Sequence, residues 1–165
     1  MNHRTPSPWW TTVIDPHREK YFELYWRVAF EALEESPSKK RQVGAVVVTP
    51  TGMISLGWNA MPSGFPNECE HTLVCPDTGE SRLKANPETI HAERNAIDKM
   101  TNQGIPVSGS LLFVTTAPCF ECAKALHGLG LKGVHYINAY KNADGIEFLE
   151  RAGVPVFRHP HTSDE

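Results

Sequence analysis

Hydrophobic and polar positions alternate between two periods along this chain. Asp15 can cap a helix that has Pro16 at its first position. From there to residue 35, Tyr21, Leu24, Tyr25, Val28, Ala29 and Leu33 recur every three or four positions, the spacing of one helical face. Ser36-Pro37-Ser38 ends that helix. The β-branched run at 42–49, the turn Pro50-Thr51-Gly52 and the apolar stretch at 53–58 predict a hairpin. Residues 59–89 show neither period and are rich in Pro, Gly, Asn and Asp. A stretch of that length without regular structure is expected to be functional. A helix follows at 90–100, with Ala92, Ala96, Ile97 and Met100 inward. The unbroken run Leu111-Leu112-Phe113-Val114 in a strand at 110–116 predicts burial on both faces. Pro118 opens a helix running through Ala123, Leu126 and Leu129. A strand at 133–138, a helix at 142–152 closed by Gly153 and a strand at 154–157 complete the pattern. Residues 1–14 read as an arm carrying Trp9 and Trp10, and 159–165 as a tail with His159 and His161 in solvent.

This order, a helix, a hairpin and then three helix–strand units, predicts one domain over residues 1–165. It is expected to be an α/β fold, a three-layer α/β/α sandwich around a central mixed five-stranded sheet. The length, 165 residues, suffices for a full core without staples.

Composition narrows the partners. The chain is 40% hydrophobic and 21% charged, its net charge is −3, and its mean hydropathy is −0.36. Collagen-like, disordered and membrane-spanning classes are excluded, since no apolar run nears the roughly 18 residues of a membrane helix. Without an apolar stretch behind a basic N-terminus, the expected compartment is a reducing cytoplasm (the host's, if the chain is phage-encoded). The basic cluster Lys39-Lys40-Arg41 is too small for a duplex-binding stripe, so no nucleic-acid partner and no membrane partner are expected, while a small anionic substrate fits.

Four cysteines, Cys69, Cys75, Cys119 and Cys122, in such a compartment point to metal or redox chemistry before disulfides. Cys119 and Cys122 lie three positions apart at the start of one helix, and His91 lies at the start of another. Three protein ligands with an open fourth position describe a catalytic zinc rather than a structural one. Glu93, two residues past the histidine, is placed to move protons for a water activated at the open position. Such a constellation performs hydrolytic deamination. Alone, Cys-x-x-Cys also fits a redox pair and His-x-Glu also arises by chance. A thioredoxin-like pair would follow the first strand near the N-terminus, which this pair does not.

Taken with Val43-Gly44-Ala45-Val46-Val47-Val48, Gly57-Trp58-Asn59-Ala60-Met61-Pro62-Ser63-Gly64, His91-Ala92-Glu93-Arg94-Asn95-Ala96-Ile97 and Val114-Thr115-Thr116-Ala117-Pro118-Cys119-Phe120-Glu121-Cys122, the chain resembles the cytidine/deoxycytidylate deaminase superfamily. Within it, the chain is similar to the deoxycytidylate (dCMP) deaminases, especially phage-type ones. The resemblance covers about residues 18–158. It implies zinc on His91, Cys119 and Cys122, with Glu93 as the acid/base and Asn59 and the Ala92 backbone N–H contacting sugar and base. It also implies activation by dCTP and inhibition by dTTP, each with magnesium, in a homohexamer. The effector site would lie along Asn59, Ala60, Pro62, Gly64 and Phe65. Asn59-Ala60 stands where the family has Asn-Gly, and Trp58 where it has tyrosine. For the 5′-phosphate the candidates are Arg41, Tyr140, Lys141 and Arg94, the last with an exposed helix face as its alternative. Cys69, His71 and Cys75 form a second candidate metal cluster, with His17 as a conceivable fourth ligand, or else are reduced cysteines in a loop.

Other readings share parts of this pattern. A deaminase of the same fold acting on dCTP has every motif, whereas a tRNA deaminase needs clustered Lys and Arg. A nucleotide-sensing zinc protein has no use for Glu93.

Overall fold

The computed structural model describes residues 14–160. The arm with its two tryptophans, except Ile14, and the tail beyond residue 160, His161 included, lie outside them. A five-stranded sheet has the order β2-β1-β5-β6-β7, built from β1 (Gly44–Val48), β2 (Ile54–Trp58), β5 (Leu111–Thr116), β6 (Gly133–Asn138) and β7 (Val156–Arg158). β1 pairs antiparallel with β2 and β5, while β6 runs parallel to β5 and β7. The expected mixed sheet is what forms.

Its layers follow from alternation within the strands. Successive side chains point to opposite faces. Val46, Val48, Leu111 and Phe113 therefore pack against Tyr25 and Ala29 of α1 (Phe22–Glu34). Ala45, Val47, Leu112 and Val114 face the other way, onto Ala92, Ala96, Ile97 and Met100 of α2 (Ala92–Asn102) and Ala123 and Leu126 of α3 (Phe120–Leu126). Leu149 of α4 (Asp144–Arg151) completes this second core. β1 and β5 are buried at every position, as a two-sided strand must be.

Several boundaries move. The first helix starts later than Asp15: a 3-10 turn at Glu19–Tyr21 leads into Phe22. Asp15 instead accepts a bond from the His17 amide at 2.9 Å. Leu24, expected inside, is exposed, and Phe22 and Trp26 take the inward contacts. His159 is not a free tail residue. Its Nε2 lies 2.8 Å from Nδ1 of the buried His135, and its amide donates to Tyr136 O at 2.7 Å.

The main difference lies in the long loop. It contains a second, two-stranded sheet, β3 (Glu70–Val74) with β4 (Ser81–Ala85), in register from Glu70↔Ala85 to Val74↔Ser81. β4 is exposed throughout, and in β3 the one buried residue is charged, Glu70, with Leu73 half-buried, hence no alternation of apolar and polar residues marked them. Among the described residues, no helix is long and apolar enough to cross a membrane.

Candidate active site

The site forms at one end of the sheet, beyond the carboxyl ends of the parallel strands β5 and β6, the usual ligand position of α/β sheets. β5 leads through Ala117 and Pro118 to Cys119, and β6 leads to Tyr140 and Lys141. Ala117 N donates to Asn138 O at 2.8 Å, which fixes these two exits side by side. The residue after β2, Asn59, and the segment before β1, including Arg41 and Val43, reach the same end.

His91 and Cys119 are not inside their helices but at the N-caps of α2 and α3, with extended backbone (φ −73°, ψ 156° and φ −70°, ψ 169°). Cys122 sits one turn into α3. A pair of antiparallel bonds between Ala60 and Ile90 (2.8 and 3.1 Å) delivers the chain to His91. The approach of α2 to the sheet depends on Gly57, where a Cβ would lie 2.4 Å from Ala92 O and 2.5 Å from Ala96 N. Gly145 serves the other ligand loop: a Cβ there would lie 2.2 Å from Pro118 O.

These elements bring His91, Cys119 and Cys122 together, with their donor atoms all within 4.8 Å of one another. His91 Nδ1 is 3.2 Å from Cys122 Sγ and 3.4 Å from Cys119 Sγ. Tetrahedral zinc with ordinary bond lengths separates an N and an S ligand by roughly 3.6 Å, so the three groups fit that ion after shifts of a few tenths of an ångström. Among the described residues, no other three His, Cys, Asp or Glu side chains gather so closely. Cys122 donates to Cys119, and with His91 alongside, this pulls the Cys119 thiol down to about 3. The same bond, together with burial, pushes Cys122 up. The Cys119 hydrogen bond raises His91. Glu93, 4% exposed, has an oxygen 3.8 Å from Cys122 Sγ, and its burial raises its carboxyl above the usual range.

A cavity of about 470 Å³ opens over this group. His91, Ala92, Glu93, Thr116, Ala117 and Cys119 line it, and so do the cationic side chains of Lys40, Arg41 and Lys141 together with Tyr140. Arg41 and Lys141 both stand over the Tyr140 ring, 5.6 and 5.5 Å from its centre. Arg41, Tyr140 and Lys141, three of the four candidates for the phosphate, thus lie together on this cavity. Arg94 does not join them. It pairs with Asp98 at 2.7 Å and lines a separate cavity of about 590 Å³ between α2 and α3.

Asn59 lies in the site cavity, buried and already bonded. Its Oδ1 accepts from Ser36 Oγ (2.7 Å) and Val43 N (2.8 Å), and its Nδ2 donates to Arg41 O (2.8 Å). A primary amide has two N–H donors, which leaves one for a ligand. Ala60 is extended and needs no glycine, since no non-glycine described residue has a positive φ. Pro62 to Phe65 form a turn closed by Phe65 N donating to Pro62 O at 3.1 Å, with Gly64 at φ 89° and Phe65 exposed.

The second candidate metal cluster is not assembled. Cys69 and Cys75 flank the five-residue strand β3, which puts them roughly 20 Å apart at the rise of an extended chain. His71 faces solvent and bonds Asn86 Oδ1 at 2.5 Å, and His17 lies at Val48 O and Thr49 O, 2.9 and 3.1 Å away. Cys69 is buried against the site cavity instead. Ser38, Glu70, Asn86 and Thr89 also line that cavity and were not singled out in the sequence. They sit in loops or in the polar hairpin, where neither spacing nor motif marks them.

Comparison with known proteins agrees with this geometry. Residues 19–138 match the cytidine and deoxycytidylate deaminase zinc-binding region. The deoxycytidylate deaminase of Enterobacteria phage T2 is 30% identical over 168 residues, covering 81% of this chain and 89% of that protein. ComE operon protein 2 of Bacillus subtilis (strain 168) is 34% identical over 123 residues, 73% of this chain, and this chain spans only 61% of that protein's length. The crystal structure of dCMP deaminase from the cyanophage S-TIM5 in complex with dCMP and dUMP superposes with a TM-score of 0.75 at 38% identity. It covers 86% of this chain and 98% of that one. A His-Cys-Cys group with a buried glutamate beside it, on this sheet and within this match, places the chain in the cytidine and deoxycytidylate deaminase family of zinc-binding enzymes.

Proposed function

We propose that this chain catalyses the hydrolytic deamination of dCMP to dUMP. The observation that carries the reading is one cavity lined both by a buried carboxylate, Glu93, beside the His91–Cys119–Cys122 group and by the cationic side chains of Lys40, Arg41 and Lys141. That combination matches a substrate with a reactive base at one end and a phosphate at the other. Likeness to the phage deoxycytidylate deaminases supports the choice of dCMP.

His91, Cys119 and Cys122 would hold a zinc ion, which would supply a Lewis acid able to lower the pKa of a water to about 7. The remaining work falls to the chain's own groups. Glu93 takes a proton from the attacking water and delivers it to the ring nitrogen next to the reacting carbon. It then takes the second proton from the hydroxyl now on that carbon and passes it to the amino group, so that the carbonyl forms and ammonia leaves as the carbon–nitrogen bond breaks. Water adds, ammonia departs, and the carboxylate returns to its starting state. The Ala92 N–H and the free N–H of Asn59 hold the base and sugar. Arg41, Tyr140 and Lys141 hold the phosphate, where the guanidinium's planar fork suits its oxygens.

In its finer form the proposal includes activation by dCTP and inhibition by dTTP, each with magnesium, in a homohexamer. The turn Pro62–Phe65, which follows Asn59 by a few residues and leaves Phe65 exposed, gives effectors an accessible surface near a substrate-contacting residue. The test is turnover of dCMP, dCTP, CMP and deoxycytidine by zinc-loaded protein, with and without the triphosphates and magnesium. Preferred turnover of dCMP, modulated by the triphosphates, supports the full reading. Preferred turnover of dCTP overturns the substrate, and indifference to the triphosphates overturns the regulation.

A further inference from the structure

The β3–β4 hairpin buries almost nothing. β4 is exposed along its whole length, and in β3 the one buried residue is charged, Glu70, at 9% exposure. Burial of apolar surface is thus a weak attachment for this strand pair. A carboxylate provides a polar one. Glu70 Oε1 accepts from Ser38 Oγ (2.5 Å) and Lys40 N (3.1 Å), and Oε2 accepts from Lys39 N (3.0 Å). These donors are three consecutive residues of the segment that carries Lys40 and Arg41 to the cavity.

The grip extends to Arg41. Ser38 Oγ, while donating to Glu70, accepts from Arg41 N at 3.3 Å, and Asn59 Nδ2 donates to Arg41 O at 2.8 Å. Both polar groups of the Arg41 peptide backbone are therefore tied to residues outside regular strands of the main sheet. Burial works to raise the Glu70 carboxyl, but the Ser38 hydroxyl and the Lys39 and Lys40 amides outweigh it and hold it below its ordinary range. Long cationic side chains lose much freedom on gripping a phosphate, and fixing their backbone beforehand reduces that cost.

We infer that Glu70 is a positioning residue: through its bonds to Ser38, Lys39 and Lys40, the inserted hairpin presets the segment at 36–43 for the 5′-phosphate and so sets the discrimination between nucleoside monophosphate and free nucleoside. This rests on the monophosphate reading above. The hairpin then contributes to specificity without contacting the base.

The experiment compares dUMP and deoxyuridine binding by calorimetry on zinc-loaded, full-length protein: unsubstituted, Glu70→Gln and Ser38→Ala. The expected result is a fall of about tenfold in the dUMP-to-deoxyuridine affinity ratio for Glu70→Gln, with a smaller fall in the same direction for Ser38→Ala. Steady-state kinetics should show the dCMP KM rising about tenfold while kcat stays within about threefold. A merely structural role would weaken both ligands in parallel, and that result, or an unchanged ratio, overturns the inference. If Glu70→Gln does not fold, Ser38→Ala decides by the same ratio. An unsubstituted protein that binds dUMP no better than deoxyuridine overturns the monophosphate reading itself, and this inference with it. Clear wild-type preference that survives both substitutions overturns this inference alone.

Discussion

At the scale of single residues, chemistry and space are set by different side chains. His91, Cys119, Cys122 and Glu93 were legible because their types and spacing carry a mechanism. The two glycines that let their elements close up are quieter. Gly57 lies where any side chain would meet backbone atoms of α2, 2.4 Å from Ala92 O. No rotamer change relieves a clash with backbone, so Gly57→Ala must push α2 outward, carrying His91 and Glu93 with it. The expected cost is about 1–3 kcal/mol, the range for overpacking, together with weaker zinc retention. Chemical denaturation and metal analysis of the variant check both. Asn59 shows where residue type alone misleads. Its amide reads as a ligand contact, yet its Oδ1 and one N–H tie the segment before β1 to the end of β2. Only the fold reveals that division, because its partners, Ser36, Arg41 and Val43, lie 16 or more positions earlier.

At the scale of elements, what was legible depended on burial. β1 and β5 stood out because both faces are covered, and α2 because its inward residues recur at helical spacing. β3 and β4 did not: β4 is exposed on both faces, the one buried residue of β3 is the charged Glu70, and Ser81-Arg82-Leu83-Lys84-Ala85 reads as polar loop. β6 holds a less expected device. His135 is stacked between Phe113 and Phe157, with ring centres 4.7 and 4.8 Å away, and contacts His159. Burial first, then the neighbouring His159 and His17, lowers its pKa to about 4. A histidine depressed in the fold binds its proton more readily when unfolded. Its contribution to stability is therefore present in full above about pH 6.5 and is lost as pH falls toward 4. The Tm advantage of the unsubstituted protein over His135→Phe should shrink between pH 7 and 4, read by thermal melts across that range. A gap independent of pH would show that His135 does not titrate there.

At the scale of the whole molecule, the metal-ligand group is peripheral to the cores. Both apolar cores are built by side chains of α1, α2, α3, α4 and the sheet, and the three ligands lie at the sheet's end. Folding should then outlast the metal, unlike small domains that zinc itself holds together. Chelation is expected to abolish deamination while leaving the far-ultraviolet circular dichroism spectrum intact, with activity restored by added zinc. Activity that survives complete zinc removal would instead favour thiol chemistry at Cys119 and Cys122. More narrowly, Glu93, beside that group, is the proposed proton carrier in the conversion of dCMP to dUMP. The direct measurement is dUMP formation by Glu93→Gln at zinc content equal to the unsubstituted protein. A fall of about 100-fold or more with zinc retained is the predicted result, in line with the loss of a general acid–base. Formation of dUMP at the unsubstituted rate would contradict the account.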